Sequence, residues 1–169
     1  MRALLIFLLA APLFAQNSLT ITNRDSSART NYPVQIGRPF AVGEIEDYPQ
    51  AVVGGTPVTT QADVKSRWAD GSVKHAILSF LVPSLGASAT AVVTFQNQVG
   101  CNCGSGARLT KSQMLDAGYD FDAEMELTQA GETITRSART MLTNDHYTYW
   151  AEGSVATTVI LADHTGKSY

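Results

Sequence analysis

The chain has 169 residues, with 12 Lys and Arg against 15 Asp and Glu, a net charge of −3 and two cysteines. This mildly acidic balance argues against nucleic acid or an anionic membrane surface as a partner. The length suits one domain with a proper core.

The opening stretch MRALLIFLLAAPLFAQ reads as a secretory signal peptide. Arg2 supplies the positive start, residues 3–11 the apolar run, and small Ala15 the cleavage position. The stretch is too short for a membrane span. Cleavage after Ala15 leaves 154 of the 169 residues, 16–169, as a single β domain with a net charge of about −4. The product is expected to be secreted or periplasmic, and free of the membrane once cleaved.

Short strands follow, separated by turn residues. LTITN (19–23) alternates and reads as a strand, and RDSSARTN as a polar loop. Residues 34–36 and 40–45 are predicted as two short strands, because Pro33, Gly37, Pro39, Gly43 and Pro49 break the run. A turn at Gly54-Gly55 then leads towards the clearest hairpin signal in the chain, KSRWADGSVKHAILSF (65–80).

A two-residue Asp70-Gly71 connection favours a type I′ turn, since that turn needs φ > 0 at both central positions. It pairs Trp68 with Val73, Arg67 with Lys74, Ser66 with His75 and Val64 with Ile77. Trp68, Val73, Val64, Ile77 and Leu81 then share one face. Ala76, Leu78 and Phe80 fall on the other, so both faces are apolar away from the turn.

Residues 90–96 form the next strand, and the Gly-rich NQVGCNCGSGARL stretch is irregular. Thr110-Lys111-Ser112-Gln113 fits a capping box and places a helix at about 111–117, with Gly118 closing it. Phe121, Ala123, Met125 and Leu127 alternate with acidic residues as a strand, and ETITRSARTML reads as its return. HYTYWAEGS and a final strand at 155–162 complete the chain. Eight to ten strands and one short helix make an all-β fold, an antiparallel barrel or sandwich.

Several features could carry chemistry. Cys101 and Cys103 in GCNCG can form a tight bridge in an exported chain, or remain as two thiols pinning a loop. Two sulfurs with no nearby His do not complete a tetrahedral metal set. Asp120, Asp122, Glu124 and Glu126 offer hard oxygens suited to Ca²⁺, but a solvated strand face has the same pattern. Asp145-His146 and Asp163-His164 cannot each be an Asp–His relay, because neighbours on a strand point to opposite faces. No G-x-S-x-G elbow presents a nucleophile.

Arg67, Lys74 and His75 form the one basic cluster. Arg67 opposite Lys74 is unfavourable unless Glu44, Glu46 or a bound uronate joins them. Tyr149 and Trp150 could stack on sugar rings, as could Trp68 and Tyr147, although Trp68 opposite Val73 suits a core position better. No residue is assigned a catalytic role.

The PV-x-x-G-x-PF…GE stretch and the RW-x-DGS-x-KH stretch (Arg67, Trp68, Asp70, Gly71, Ser72, Lys74, His75) resemble the N-terminal β domain of exo-rhamnogalacturonan lyase-like (YetA-like) proteins, a RIFT barrel. WAEGSVATTVILADH is similar as well; GCNCG is not part of the pattern. In that family the lyase chemistry belongs to a later helical toroid domain. The resemblance therefore implies a secreted, non-catalytic front module that packs against a downstream helical catalytic domain. An autonomous module for pectic glycan, or a small β enzyme using Arg67, Lys74 and His75, are the alternatives.

Overall fold

The computed structural model describes residues 18–104, 106–119 and 121–162. The signal segment, Asp120 and the Asp163-His164 pair lie outside them. The chain is all-β, with antiparallel pairing throughout. One sheet runs β1 (Ser18–Thr22), β7 (Thr90–Gln98), β3 (Tyr48–Val53) and β4 (Thr56–Pro57), in that order. A second runs β2 (Arg29–Pro39), β6 (Val73–Leu85) and β5 (Thr60–Arg67). Two hairpins follow, β8 (Glu124–Gln129) with β9 (Glu132–Ser137), and β10 (Tyr147–Ala151) with β11 (Thr158–Leu161). The two larger sheets are open at both edges and form a sandwich rather than a closed barrel.

The core lies between those sheets. Ala76, Leu78, Phe80 and Val82 alternate inward along β6 and meet Val93 and Phe95 of β7 and Ala51 of β3. Pro83 interrupts no ladder from β5, whose pairing with β6 begins at Phe80. The buried polar side chains Asn23, Thr60, Gln61, Ser72 and Ser79 are all hydrogen-bonded, as the cost of an unpaired buried group requires.

The central hairpin forms, but in a different register from the one expected. The Trp68 carbonyl accepts from Gly71 N–H at 3.0 Å, and Trp68 N–H donates to Ser72 O at 2.8 Å. The loop is thus three residues, Ala69-Asp70-Gly71, with Gly71 in the left-handed region (φ 90). This is the three-residue connection that ends in a glycine bulge. The extra residue shifts the pairing by one on either side of Ser66, so Val64 faces Ala76 and Arg67 faces Val73, while Ser66 faces His75 as expected. Irregularities at Lys65 and Lys74 absorb the offset. Val73 thereby joins Ala76 in the core, while Ile77 and Leu81 turn outward. Trp68 is not a core partner of Val73: its indole N–H donates to Phe40 O at 3.0 Å and Lys74 Nζ lies 4.6 Å from its ring centroid.

Other expectations change as well. β2 runs from Arg29 through Pro33 and Gly37 to Pro39 as one strand, where a polar loop and a short strand at 34–36 were expected. Residues 40–45 are a loop, not a strand, although Phe40 and Ile45 are buried. Phe40 N–H and Ile45 O bond to Lys74 O and Val73 N–H, so the loop is tied to the start of β6. The capping box at Thr110 is present, but α1 (Lys111–Met114) is short and Gly118 sits inside a following 3-10 turn. β8 begins only at Glu124. The stretch read as a return strand splits into β9 and a second helix, α2 (Ala138–Thr143). Ser137 caps that helix by accepting Thr140 N–H at 3.0 Å, and Ala, Arg, Met and Leu are good helix formers.

Candidate functional site: the groove along β5 and the joint beside it

β5 is the edge of its sheet, and a groove of about 440 Å³ runs along it. Its wall includes Tyr48, Asp63, Lys65, Ser66, Arg67 and Cys103. Arg67 is held by backbone carbonyls: Nη1 donates to Glu46 O and Gly71 O, both at 2.9 Å, and Nη2 to Asp47 O at 2.8 Å. Its guanidinium also lies 5.5 Å from the Tyr48 ring centroid. Arg67 thus clasps the hairpin turn to the start of β3.

Lys74 and His75 do not join Arg67. Lys74 bulges out over Trp68. The His75 ring packs on Gly37 of β2, where an added Cβ would sit 3.3 Å from Nε2. The like-charge pairing of Arg67 with Lys74 does not arise, because Val73 stands opposite Arg67. Nor does Glu44 serve this cluster. Its carboxylate pairs with Arg38 at 3.2 Å and accepts Ala41 N–H at 2.8 Å. Arg38 in turn lies 4.3 Å and 4.5 Å from the ring centroids of Phe40 and Phe95.

Asp70 caps its own turn. Oδ1 accepts the Ser72 hydroxyl at 2.6 Å and Ser72 N–H at 3.0 Å, and these bonds hold its carboxyl below the ordinary value of 3.8. A depressed folded-state pKa gives stability that is present above the unfolded value and lost as pH falls through the lowered one. Asp70→Ala is therefore expected to lower the urea midpoint at neutral pH. The gap from the parent chain should close as acid protonates Asp70, below about pH 3.8.

The aromatic candidates divide in two. Tyr149 packs edge-on against Tyr147, 5.4 Å between centroids, beneath Arg108 at 3.7 Å, and its hydroxyl donates to Leu109 O at 3.0 Å. Burial and the Tyr147 hydroxyl raise its phenol above the usual 10. Trp150 is 51% exposed, with Lys65 Nζ 4.9 Å from its ring centroid. Lys65 therefore links the groove to an accessible aromatic face.

Of the acidic row, Glu124 and Glu126 are exposed, as a solvated strand face requires, and Asp122 has a further use. Asp122 accepts Arg139 N–H at 3.0 Å and the Ser137 hydroxyl at 2.7 Å, supporting the start of α2. Among the described residues no three His, Cys, Asp or Glu gather as a metal site.

At one end of the groove lies a joint of which sequence reading offered the Cys101–Cys103 bridge but not the contacts around it. Cys101 and Cys103 are joined as a disulfide, with Cα atoms 5.1 Å apart. The Cys101 carbonyl accepts Ala62 N–H at 2.9 Å, and the Asn102 side chain donates to Thr60 O at 2.9 Å. On its other side the loop meets the chain after β10: Gly104 N–H donates to Glu152 O at 2.7 Å, Ser154 N–H to Asn102 O at 3.2 Å, and Cys103 bridges Gly153. Gln61, fully buried, accepts Ala156 N–H at 2.9 Å and Val155 N–H at 3.3 Å and donates to Asp63 at 3.1 Å. The TTQ triplet at the head of β5, polar where alternation would call for an apolar residue, is a second sequence signal of this joint beside GCNCG.

Comparison of this chain with family models, with curated proteins and with solved structures gives no match.

Proposed function

We propose that this chain is a secreted, non-catalytic β module of a rhamnogalacturonan-type, polysaccharide-lyase-like protein, which packs against a helical catalytic domain of the same polypeptide. The observation that carries the packing half is the β8–β9 hairpin. Met125 and Leu127 lie on one face of it, 55% and 40% exposed, opposite Arg136 and Ile134. Phe121 and Tyr119, 45% and 52% exposed, precede that face. An apolar strip of this kind on a two-stranded hairpin suits a protein partner. The engagement of Arg67, Lys74 and His75 with carbonyls, an indole and a glycine also favours an architectural role over a reactive one. The pectic half rests on the resemblance of the PV-x-x-G-x-PF and RW-x-DGS-x-KH stretches.

The double substitution Met125→Glu/Leu127→Glu tests this reading. In the isolated chain it is expected to change stability by less than about 0.5 kcal/mol, since both side chains are exposed. In the complete gene product it should free the module, seen as faster proteolytic separation from the helical domain. Unchanged protease resistance there, or a gene product with no helical domain, contradicts the proposal. The exposed face of Trp150 beside Lys65 favours one alternative, a module that itself binds an acidic pectic glycan.

A further inference from the structure

We propose that the Cys101–Cys103 disulfide is exchange-competent: a thiol-reactive site that opens by attack on Cys103 from the β5 groove. Four observations converge on it. The bridge spans only two positions in sequence. So short a loop gains the least chain-entropy stabilisation from its cross-link, so opening it costs the fold comparatively little. Asn102, between the two sulfurs, is held at φ 51, a left-handed conformation that is sparsely populated for residues other than glycine, although Asn adopts it more readily than most.

The two sulfurs are also not equivalent. Cys103 lines the groove together with Lys65 and Arg67, whose positive charges attract an incoming thiolate. Cys101 receives the Cys103 backbone N–H at 3.2 Å on its sulfur. A donor aimed at a sulfur favours its thiolate form, and so its departure as a leaving group.

The step follows. A thiolate attacks Cys103 Sγ, the bond to Cys101 Sγ breaks, and Cys101 leaves as a thiolate that takes a proton from water. A second thiol then attacks the incoming sulfur, releasing Cys103 as a thiol. The protein bridge gains two electrons, and two external thiols are oxidised to a disulfide. The partner class is a thiol, either a small molecule or a cysteine of another protein.

Reduction would also bear on the joint, because the Cys101 carbonyl, the Asn102 side chain and Gly104 N–H hold β5 to the segment after β10. The thiol site does not depend on the docking reading above.

The test incubates the full chain anaerobically with millimolar reduced glutathione, quenches it with acid and then iodoacetamide, and locates the adducts by peptide mass spectrometry. Two results are expected. Most chains should carry two alkylated cysteines, and the trapped glutathione should sit predominantly on Cys103. Lys65→Gln should slow the opening several-fold without unfolding the chain, as Lys65 bonds to no backbone group and contacts the exposed Trp150 ring. A bridge that stays closed, or glutathione spread evenly over Cys101 and Cys103, overturns the proposal. If glutathione opens the bridge slowly but a protein dithiol such as reduced thioredoxin opens it at least tenfold faster, the partner is a protein cysteine. Equal rates assign it to small thiols.

Discussion

Gly153→Ala is expected to cost about 3–5 kcal/mol, combining an overpacking penalty with the loss of buried hydrogen bonds. A Cβ at this position would fall 2.3 Å from Gln61 Cδ, 2.4 Å from Gln61 Oε1 and 2.5 Å from the Asn102 carbonyl. No real side chain approaches so closely, so something must move. The Asn102 carbonyl cannot yield easily, because it accepts Ser154 N–H from within the disulfide loop. Gln61, itself fully buried, cannot swing away without leaving the half-buried Val155 and Ala156 N–H groups without this partner. A urea titration followed by circular dichroism should show the midpoint fall sharply. A shift worth less than about 1 kcal/mol would mean that the joint relaxes and does not hold the segment after β10.

Arg38→Ala has the second-largest expected effect, about 2–4 kcal/mol, somewhat below a fully buried ion pair because both side chains keep some contact with water. Arg38 and Glu44 are 14% and 15% exposed. Removing the guanidinium leaves the Glu44 carboxylate with only the Ala41 N–H among its described partners and also removes a cation from between Phe40 and Phe95, which pack edge-on at 6.1 Å. The double variant Arg38→Met/Glu44→Gln removes both charges and is expected to recover more than half of that loss. Recovery of none of it would show that the cation held between the two rings, and not the unpaired Glu44 carboxylate, carries the loss.

These two sites show where the sequence is readable and where it is not. The all-β class was legible, because period-two alternation and closely spaced turn residues are local signals. The Asp70-Gly71 hairpin was legible for the same reason. Its register was not, since Asp-Gly serves both a two-residue loop and a three-residue loop closed by glycine. Only the bond between Trp68 O and Gly71 N–H decides between them.

Helix α2 escaped because Thr140, not Glu or Gln, stands three residues after the Ser137 cap, so no capping box announced it. Of the candidate residues, Trp150 was legible as an exposed aromatic. Arg67, Lys74 and His75 were legible as a basic cluster, but their partners come from the segment before β3, from Trp68 and from β2. The Gln61 contact to Ala156 spans 95 positions, and a single sequence has no signal at that range.

The packing proposal is tested most directly by hydrogen exchange on the β8–β9 hairpin. Amides of residues 125–127 and 134–136 would be followed in the chain alone and in the complete gene product. The chain alone presents this hairpin with its apolar face in water, so its amides should exchange readily there. Docking is expected to slow them at least about tenfold in the complete product, with the core strand β6 equally protected in both. The same exchange rates at the hairpin in both proteins would contradict the proposal.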